Sequence, residues 1–254
     1  MVFRAAPLSN AGKVLKPCDV LLEIDGKAIA PDGTVEFRDR ERVSCAHVYK
    51  SKYIGDEVQL VYSRDGKIIK DTIKADIAEY LVPDHLWDKK TSYYIYAGLV
   101  FTILSVPYVN TISKSYYARF RKFLNRFKEK PNEQVVVLAS VLVSDVNYGY
   151  QGCLRSVVSE INDTSINNLG HMVELITSSS KPILKISLDD GRVMFINNEE
   201  ASRTHEGILR ENRVDADMSE DMRPHNKNDE KTKQTDPELS RTKRQRIAEG
   251  KEAR

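Results

Sequence analysis

The stretch Tyr94-Ile95-Tyr96-Ala97-Gly98-Leu99-Val100-Phe101-Thr102 offers chemistry through its backbone rather than its side chains. An aromatic residue, a small one and a glycine followed at once by an apolar run describe a turn feeding a strand. Such a turn can aim successive N–H groups at a carboxylate. The strand after it is expected to keep an open edge, onto which an extended peptide adds through main-chain hydrogen bonds. Other chemistries find little support. Cys18, Cys45 and Cys153 are too few and too scattered for a disulfide framework or a zinc site, and they fit a reducing compartment. No metal-ligand spacing and no phosphate-cradling glycine loop occurs, so neither a metal nor a cofactor is expected.

The elements that must position this stretch occur twice. In the first copy Val20, Leu22 and Ile24 read as one face of a strand, followed by an Asp25-Gly26 turn and a short strand ending at Ile29. Val43, Ala46, His47 and Tyr49 recur at roughly helical spacing, which predicts a helix over 39–52. Val58 to Tyr62, the turn Arg64-Asp65-Gly66-Lys67 and Ile68 to Ile73 predict a hairpin. In the second copy Glu160-Ile161-Asn162 repeats Glu23-Ile24-Asp25, and Asn167 or Asn168 can cap a helix with Leu169, Met172, Val173, Leu175 and Ile176 on its apolar side. Ile183 to Leu188, Asp190-Gly191 and Val193 to Ile196 form the second hairpin. A plan repeated in the same order points to duplicated domains of about 80–100 residues.

Between the copies, residues 79–92 read as a linker with Pro83, Asp84, Asp88, Lys89 and Lys90. Tyr116, Phe120, Phe123, Leu124 and Phe127 make an apolar stripe opposite Arg119, Lys122 and Arg126, so 113–130 is expected to be a basic amphipathic helix. It either packs on the second domain with its basic side in water or meets an anionic membrane surface or RNA. Residues 133–143 follow as a buried β-rich run. From about Ala201 the apolar periodicity fades, and composition predicts disorder from about 215 onward. Arg241 to Arg246 could serve as a nuclear-import signal or be a solvated basic cluster.

Length and composition bound these readings. At 254 residues, 41% hydrophobic and 30% charged, the chain holds two small domains and a tail. A net charge of +2 exerts no strong global pull toward nucleic acid or membrane. The nearly uncharged run from Tyr93 to Val109 is at the short limit for a spanning helix, and a strand followed by a turn at Pro107 explains it better. No signal-peptide h-region follows Met1.

Taken together these motifs resemble a known family. Leu15-Lys16-Pro17-Cys18-Asp19-Val20-Leu21 with Gly33 to Arg42 is similar to the first PDZ domain of plant Do-like (Deg/HtrA-type) serine proteases. Ser92 to Ile95 with Ala97 to Phe101, and Leu142 to Asn147 with Gly149-Tyr150, resemble their second PDZ domain. The resemblance implies an α+β, mostly β fold: two PDZ-like β-sandwich or barrel domains, each with a packed helix, then a disordered charged tail. The expected divisions are 1–78, the linker 79–92, a second domain 93–200 and an extension 201–254. The resemblance also implies a groove between the Leu99–Ile103 strand and a helix around Leu169 to Ile176. Gly98, Leu99 and Val100 would offer N–H groups there, flanked by Ala97 and Phe101, while Leu169, His171, Met172 and Leu175 would line the far wall. His171 has a plain alternative as a solvated helix position, and the groove could be filled by a neighbouring segment of the chain or by an adjacent subunit.

The family's Gly-Asn-Ser-Gly-Gly elbow does not occur in these residues, so His47, His85, His171, His205 and His225 have no nucleophile to serve and no catalytic residue is expected. Cys18 stands where the family has glycine, at a cost of about 1 kcal/mol if the turn needs positive φ. In the family the first domain's carboxylate loop lies upstream of the strand near Met1 to Arg4, which leaves that groove incomplete here. The expected role is peptide or protein recognition and oligomer regulation in a homo-oligomeric protease. The alternative is a fragment of an active ATP-independent serine endopeptidase. The compartment would be intracellular: the nucleus, or a plant chloroplast or mitochondrion.

Overall fold

In the computed structural model, which describes residues 1–223 apart from the side chains of 114 and 115, both copies of the repeat adopt one sheet plan. The first unit runs α1 (Asn10–Val14), β1 (Val20–Ile24), β2 (Lys27–Ala28), β3 (Thr34–Arg38), β4 (Glu41–Ser44), α2 (Ala46–Lys50), β5 (Glu57–Arg64) and β6 (Lys67–Lys74). The second runs β7 (Tyr93–Tyr96), β8 (Leu99–Ile103), α3 (Val106–Thr111), α4 (Lys114–Leu124), β9 (Val136–Val141), β10 (Val158–Ile161), β11 (Thr164–Ser165), α5 (Leu169–Thr177), β12 (Ile183–Leu188), β13 (Val193–Asn197) and α6 (Asn198–Glu211). The main sheets have the orders β2-β1-β5-β6 and β11-β10-β12-β13, so the mostly β, α+β architecture with a helix in each unit is present.

The correspondence extends to single atoms. Asp25 and Gly26 (φ 48° and 72°) and Asn162 and Asp163 (φ 49° and 67°) form the tight turns after β1 and β10. Positive φ at both central residues suits the twist of the flanking strands. The Gln59 N–H donates to Asp25 Oδ1 at 2.9 Å, and the Lys185 N–H donates to Asn162 Oδ1 at 3.1 Å, so each turn is tied to the next strand by the same bond. Both first strands bulge at the equivalent place, Leu21/Glu23 and Val158/Glu160. The bulge is why the simple alternation fails: Ile24 is buried but Val20 is exposed.

Three apolar clusters follow. Ile24, Val35, Val58, Leu60 and Tyr62 centre the first unit. Leu99, Phe101, Leu138, Met172, Ile186 and Met194 centre the second. Leu81, Val82, Leu104, Phe120 and Val157 form a third beneath α3 and α4. Each fully buried Leu or Phe contributes about 1.5–3 kcal/mol relative to exposure.

Several expectations change. The helix expected over 39–52 is only α2, because Glu41-Arg42-Val43-Ser44 pairs with β3 through a turn at Arg40 (φ 63°). The basic helix stops at Leu124 and not at 130. Phe127 leaves it to bridge Tyr80, with the ring centroids 4.8 Å apart. The segment read as a linker therefore starts in packed structure, with Leu81 and Val82 buried and the Leu81 N–H donating to the Arg126 carbonyl. Disorder does not begin near 215, because residues 217–219 pair with β7. Polar Asp217 and Ser219 flank Met218, which packs on the core, in a segment too short for its pattern to stand out. The tail beyond 223 and the basic cluster 241–246 lie outside the described residues. The Tyr93–Val109 run resolves into β7, β8 and the start of α3, where Pro107 sits in the first turn and needs no N–H partner. No helix among the described residues is long and apolar enough to cross a membrane.

Two local features stand out. The Tyr150 hydroxyl donates to the Phe195 carbonyl and accepts from its N–H, both at 3.0 Å, closing the outer edge of β13. At the start of β1, Asp19 is 1% exposed. It accepts from Arg64 Nε (2.8 Å), Arg64 Nη2 (2.6 Å) and the Lys16 N–H (2.7 Å). The Arg64 hydrogen bonds are the main cause holding its carboxyl down at about 2.

Because that pKa lies below the unfolded value of about 3.9, the stabilisation is complete above pH 4 and is lost as pH falls toward 2. Chemical denaturation across that window should show the loss in the native chain and much less of it in Asp19→Asn. Cys18 takes φ 74° and is exposed, so Cys18→Gly should raise stability by about 1 kcal/mol. No gain in the denaturation midpoint would refute strain at this turn.

Candidate functional site

The site grows from one hairpin. β7 and β8 pair antiparallel from Tyr93↔Thr102 to Tyr96↔Leu99, which leaves Ala97 and Gly98 as the two-residue turn. Both have positive φ, 51° and 77°. A Cβ on Gly98 would stand 2.4 Å from the Leu142 carbonyl oxygen and 2.5 Å from Asn147 Nδ2, so the position excludes a side chain as well as favouring glycine.

Asn147 closes this turn. Its Nδ2 donates to the carbonyls of Ala97 and Leu142, both at 2.8 Å, and its Oδ1 accepts from the Ser144 N–H at 3.1 Å. The Leu142 N–H in turn donates to the Gly98 carbonyl at 2.7 Å. The side chain is fully buried with three hydrogen bonds, so it fixes the turn at no unsatisfied cost.

The edge of β8 that sequence reasoning left open is taken. β8 is the middle strand of the sheet β7-β8-β9, so β7 lies on one side and β9 on the other. The free edge moves outward to β7, and that too is covered. The Ile95 N–H donates to the Asp217 carbonyl at 2.6 Å, and the Ser219 N–H donates to the Tyr93 carbonyl at 3.0 Å. The Tyr93 N–H donates to Ser219 Oγ at 3.0 Å, with Met218 opposite Tyr94. Ser92 Oγ donates to Asp221, and His205 Nε2 stands 3.4 Å from Asp217 Oδ2. Residues 217–219 thus act as a strap along the sheet.

The nine candidate residues are brought together, but mostly inside. Ala97, Gly98, Leu99, Phe101, Leu169 and Met172 are buried. Val100, His171 and Leu175 are half-buried. α5 packs on both β7 and β8, begins at Asn168, and receives its cap from Asn168 Oδ1, which accepts the His171 N–H at 2.8 Å. His171 Nδ1 accepts from the Asn167 N–H at 3.3 Å, which ties the ring to the cap. Burial, its largest cause, pushes the Tyr94 hydroxyl well above its ordinary value, so that phenol stays neutral. No group of three or more His, Cys, Asp or Glu able to hold a metal occurs among the described residues. The extended backbone this arrangement holds is the chain's own, β7 against β8 and residues 217–219 against β7. Asn147 and the strap escaped sequence reasoning. Only the alternation Asp217-Met218-Ser219 signals the strap, and it is too short to stand out.

Comparison with known proteins identifies a family for this region. Residues 82–221 match the family described as PDZ domain. The chain is 31% identical over 228 residues to "Putative protease Do-like 3, mitochondrial" of Arabidopsis thaliana, covering 90% of this chain and 40% of that protein. It is 31% identical over 227 residues to "Protease Do-like 2, chloroplastic" of the same plant, covering 87% and 37%. It is 36% identical over 165 residues to "Serine protease DegP homolog" of Plasmodium falciparum (isolate 3D7), covering 64% and 18%. The chain therefore spans 40% or less of the length of these relatives.

Gly98→Ala should destabilise the second unit by more than about 2 kcal/mol, combining left-handed strain with a backbone clash. Asn147→Ala, which strands two buried carbonyls, should cost about 1–3 kcal/mol. Urea unfolding checks both, and a neutral Gly98→Ala would contradict the turn described above.

Proposed function

The chain belongs to the PDZ-domain family and is homologous to Do-like proteases, and on that premise we propose that it serves as the non-catalytic recognition part of a Do-like serine protease. It selects peptide or protein segments and regulates the oligomer. The recognition wall is formed by β8 with Ala97, Gly98, Leu99, Val100 and Phe101, and by α5 with Leu169, His171, Met172 and Leu175. The observation that carries this reading is that backbone edges suited to an extended peptide are occupied by the chain's own strands, β7 and residues 217–219. Main-chain pairing is sequence-tolerant, so an incoming segment can replace the strap bond for bond. Occupancy from within is a resting arrangement. Exchange for a substrate segment, or for a segment of another subunit, is its release.

The relatives are named as proteases, and the whole protein is proposed to be a serine endopeptidase acting in an organelle. These 254 residues contain no Gly-Asn-Ser-Gly-Gly elbow. The isolated chain is accordingly expected not to hydrolyse casein.

The strap is tested with Ser219→Pro, which removes both the N–H that reaches the Tyr93 carbonyl and the hydroxyl that receives the Tyr93 N–H. The native chain should bind members of an extended-peptide library weakly, and Ile95, Tyr93 and Ser219 should be protected from amide exchange. Ser219→Pro should expose Ile95 and raise peptide affinity about tenfold, as removal of a competing intramolecular segment does. Equal affinity in the two chains, or unchanged exchange at Ile95, would exclude the strap as an occupant.

A further inference from the structure

The internal repeat singles out a second place in the second unit. Aligning Glu160-Ile161-Asn162 on Glu23-Ile24-Asp25 sets Arg155 opposite Cys18 and Ser156 opposite Asp19. Arg155 and Cys18 share the left-handed backbone, φ 63° and 74°. In the first unit this corner contains its own carboxylate, since Asp19 receives the Arg64 guanidinium. In the second unit the buried residue at that position is a serine hydroxyl.

Cations have collected around it. Ser156 Oγ accepts from Arg192 Nη2 at 2.6 Å and from Arg119 Nη1 at 3.4 Å, and donates to Asp190 Oδ2 at 3.2 Å. The Arg155 and Arg119 guanidinium carbons stand 4.3 Å and 5.8 Å from the centroid of the Tyr116 ring. Arg119, Lys122 and Arg155 line one cleft of about 310 Å³ together with Phe120, Val157 and two carboxylates, Asp189 and Asp190. Each carboxylate already has a cation: Lys122 on Asp189 at 2.7 Å and Arg192 on Asp190 at 2.6 Å. Arg119 and Arg155 are left without a carboxylate among the described residues. The Tyr108 hydroxyl, buried and without a hydrogen-bond partner, lies within the field of Arg155. An arginine in left-handed backbone is strained relative to glycine, and such strain clusters at ligand clamps.

We infer that this cleft between α4 and the start of β10 binds a carboxylate of an acidic peptide segment, held by Arg119 and Arg155. The guanidinium forks match a carboxylate in plane, the Tyr116 ring supports both of them from behind, and Ala118 and Val157 are the small apolar members of the cleft lining. Nucleic acid would need a track of free cations. Here Lys122, Arg126, Lys128 and Arg192 are each already paired with an acid. The cleft is separate from the strap and does not depend on it.

Fluorescence anisotropy of a labelled hexaglutamate peptide, titrated with the full chain, tests the assignment. The native chain should bind saturably and lose affinity as salt rises. Arg119→Gln should weaken binding about tenfold, as removal of one member of a charge pair does. Arg155→Gly should do the same while leaving the chain no less stable, because glycine relieves the left-handed backbone, which separates binding from folding. Arg121→Gln, on an exposed position of the same helix, should change nothing. The inference fails if Arg121→Gln weakens binding as much as Arg119→Gln, or if Arg155→Gly binds like the native chain. It fails equally if inorganic phosphate or single-stranded RNA competes as well as unlabelled hexaglutamate.

Discussion

The second unit depends on a single buried amide. Asn147 reaches the carbonyls of Ala97 and Leu142 at once, and so joins the turn of one hairpin to the end of β9. That clamp holds the turn from which the β7–β8 hairpin runs. Once the turn is held, β7 must return along β8, and the edge available to a ligand moves one strand outward to where residues 217–219 lie. A buried polar side chain with all its bonds made narrows the alternatives open to a chain, because any other arrangement leaves those groups unpaired in a dry interior.

The duplicated sheet solves one corner in two ways. The left-handed residue, the bulge and the side-chain bond from the turn to the next strand recur in both units, so the backbone problem is common to both. The electrostatic solutions differ. The first unit compensates its guanidinium internally through Asp19. The second has a hydroxyl in that place, bonded to the Arg192–Asp190 pair, and keeps two further guanidinium groups on the wall of a cleft. Divergence between repeats therefore changed the charge of the corner and left its geometry in place.

Much of the fold was legible from residues. The Asp25-Gly26 turn, the hairpins around Asp65-Gly66 and Asp190-Gly191, and the helix capped by Asn168 each carry a local signal of side-chain type and spacing. What escaped was settled by distant partners. Glu41 to Ser44 has charge enough for a helix but pairs with β3. Phe127 keeps the period of the preceding helix yet is taken by Tyr80. Of the candidate site, the spacing did not reveal that most of its nine residues are buried. The open edge expected beside Leu99 depended on whether Tyr93 to Tyr96 would fold back onto it. Aromatic and β-branched residues favour a strand without saying which edge it joins.

The bond from Tyr150 to the main chain of Phe195 has a colloidal consequence. A β-sheet margin with free amide and carbonyl groups is a template on which further copies can stack, and soluble proteins usually guard it with lysines, proline or a twist. Here one phenol fills both the donor and the acceptor place of Phe195 at the centre of β13, although Phe195 and Val193 are exposed and oily. At the middle of this flank a single hydroxyl takes up the main-chain groups on which a further strand would pair, beside apolar side chains that stay exposed.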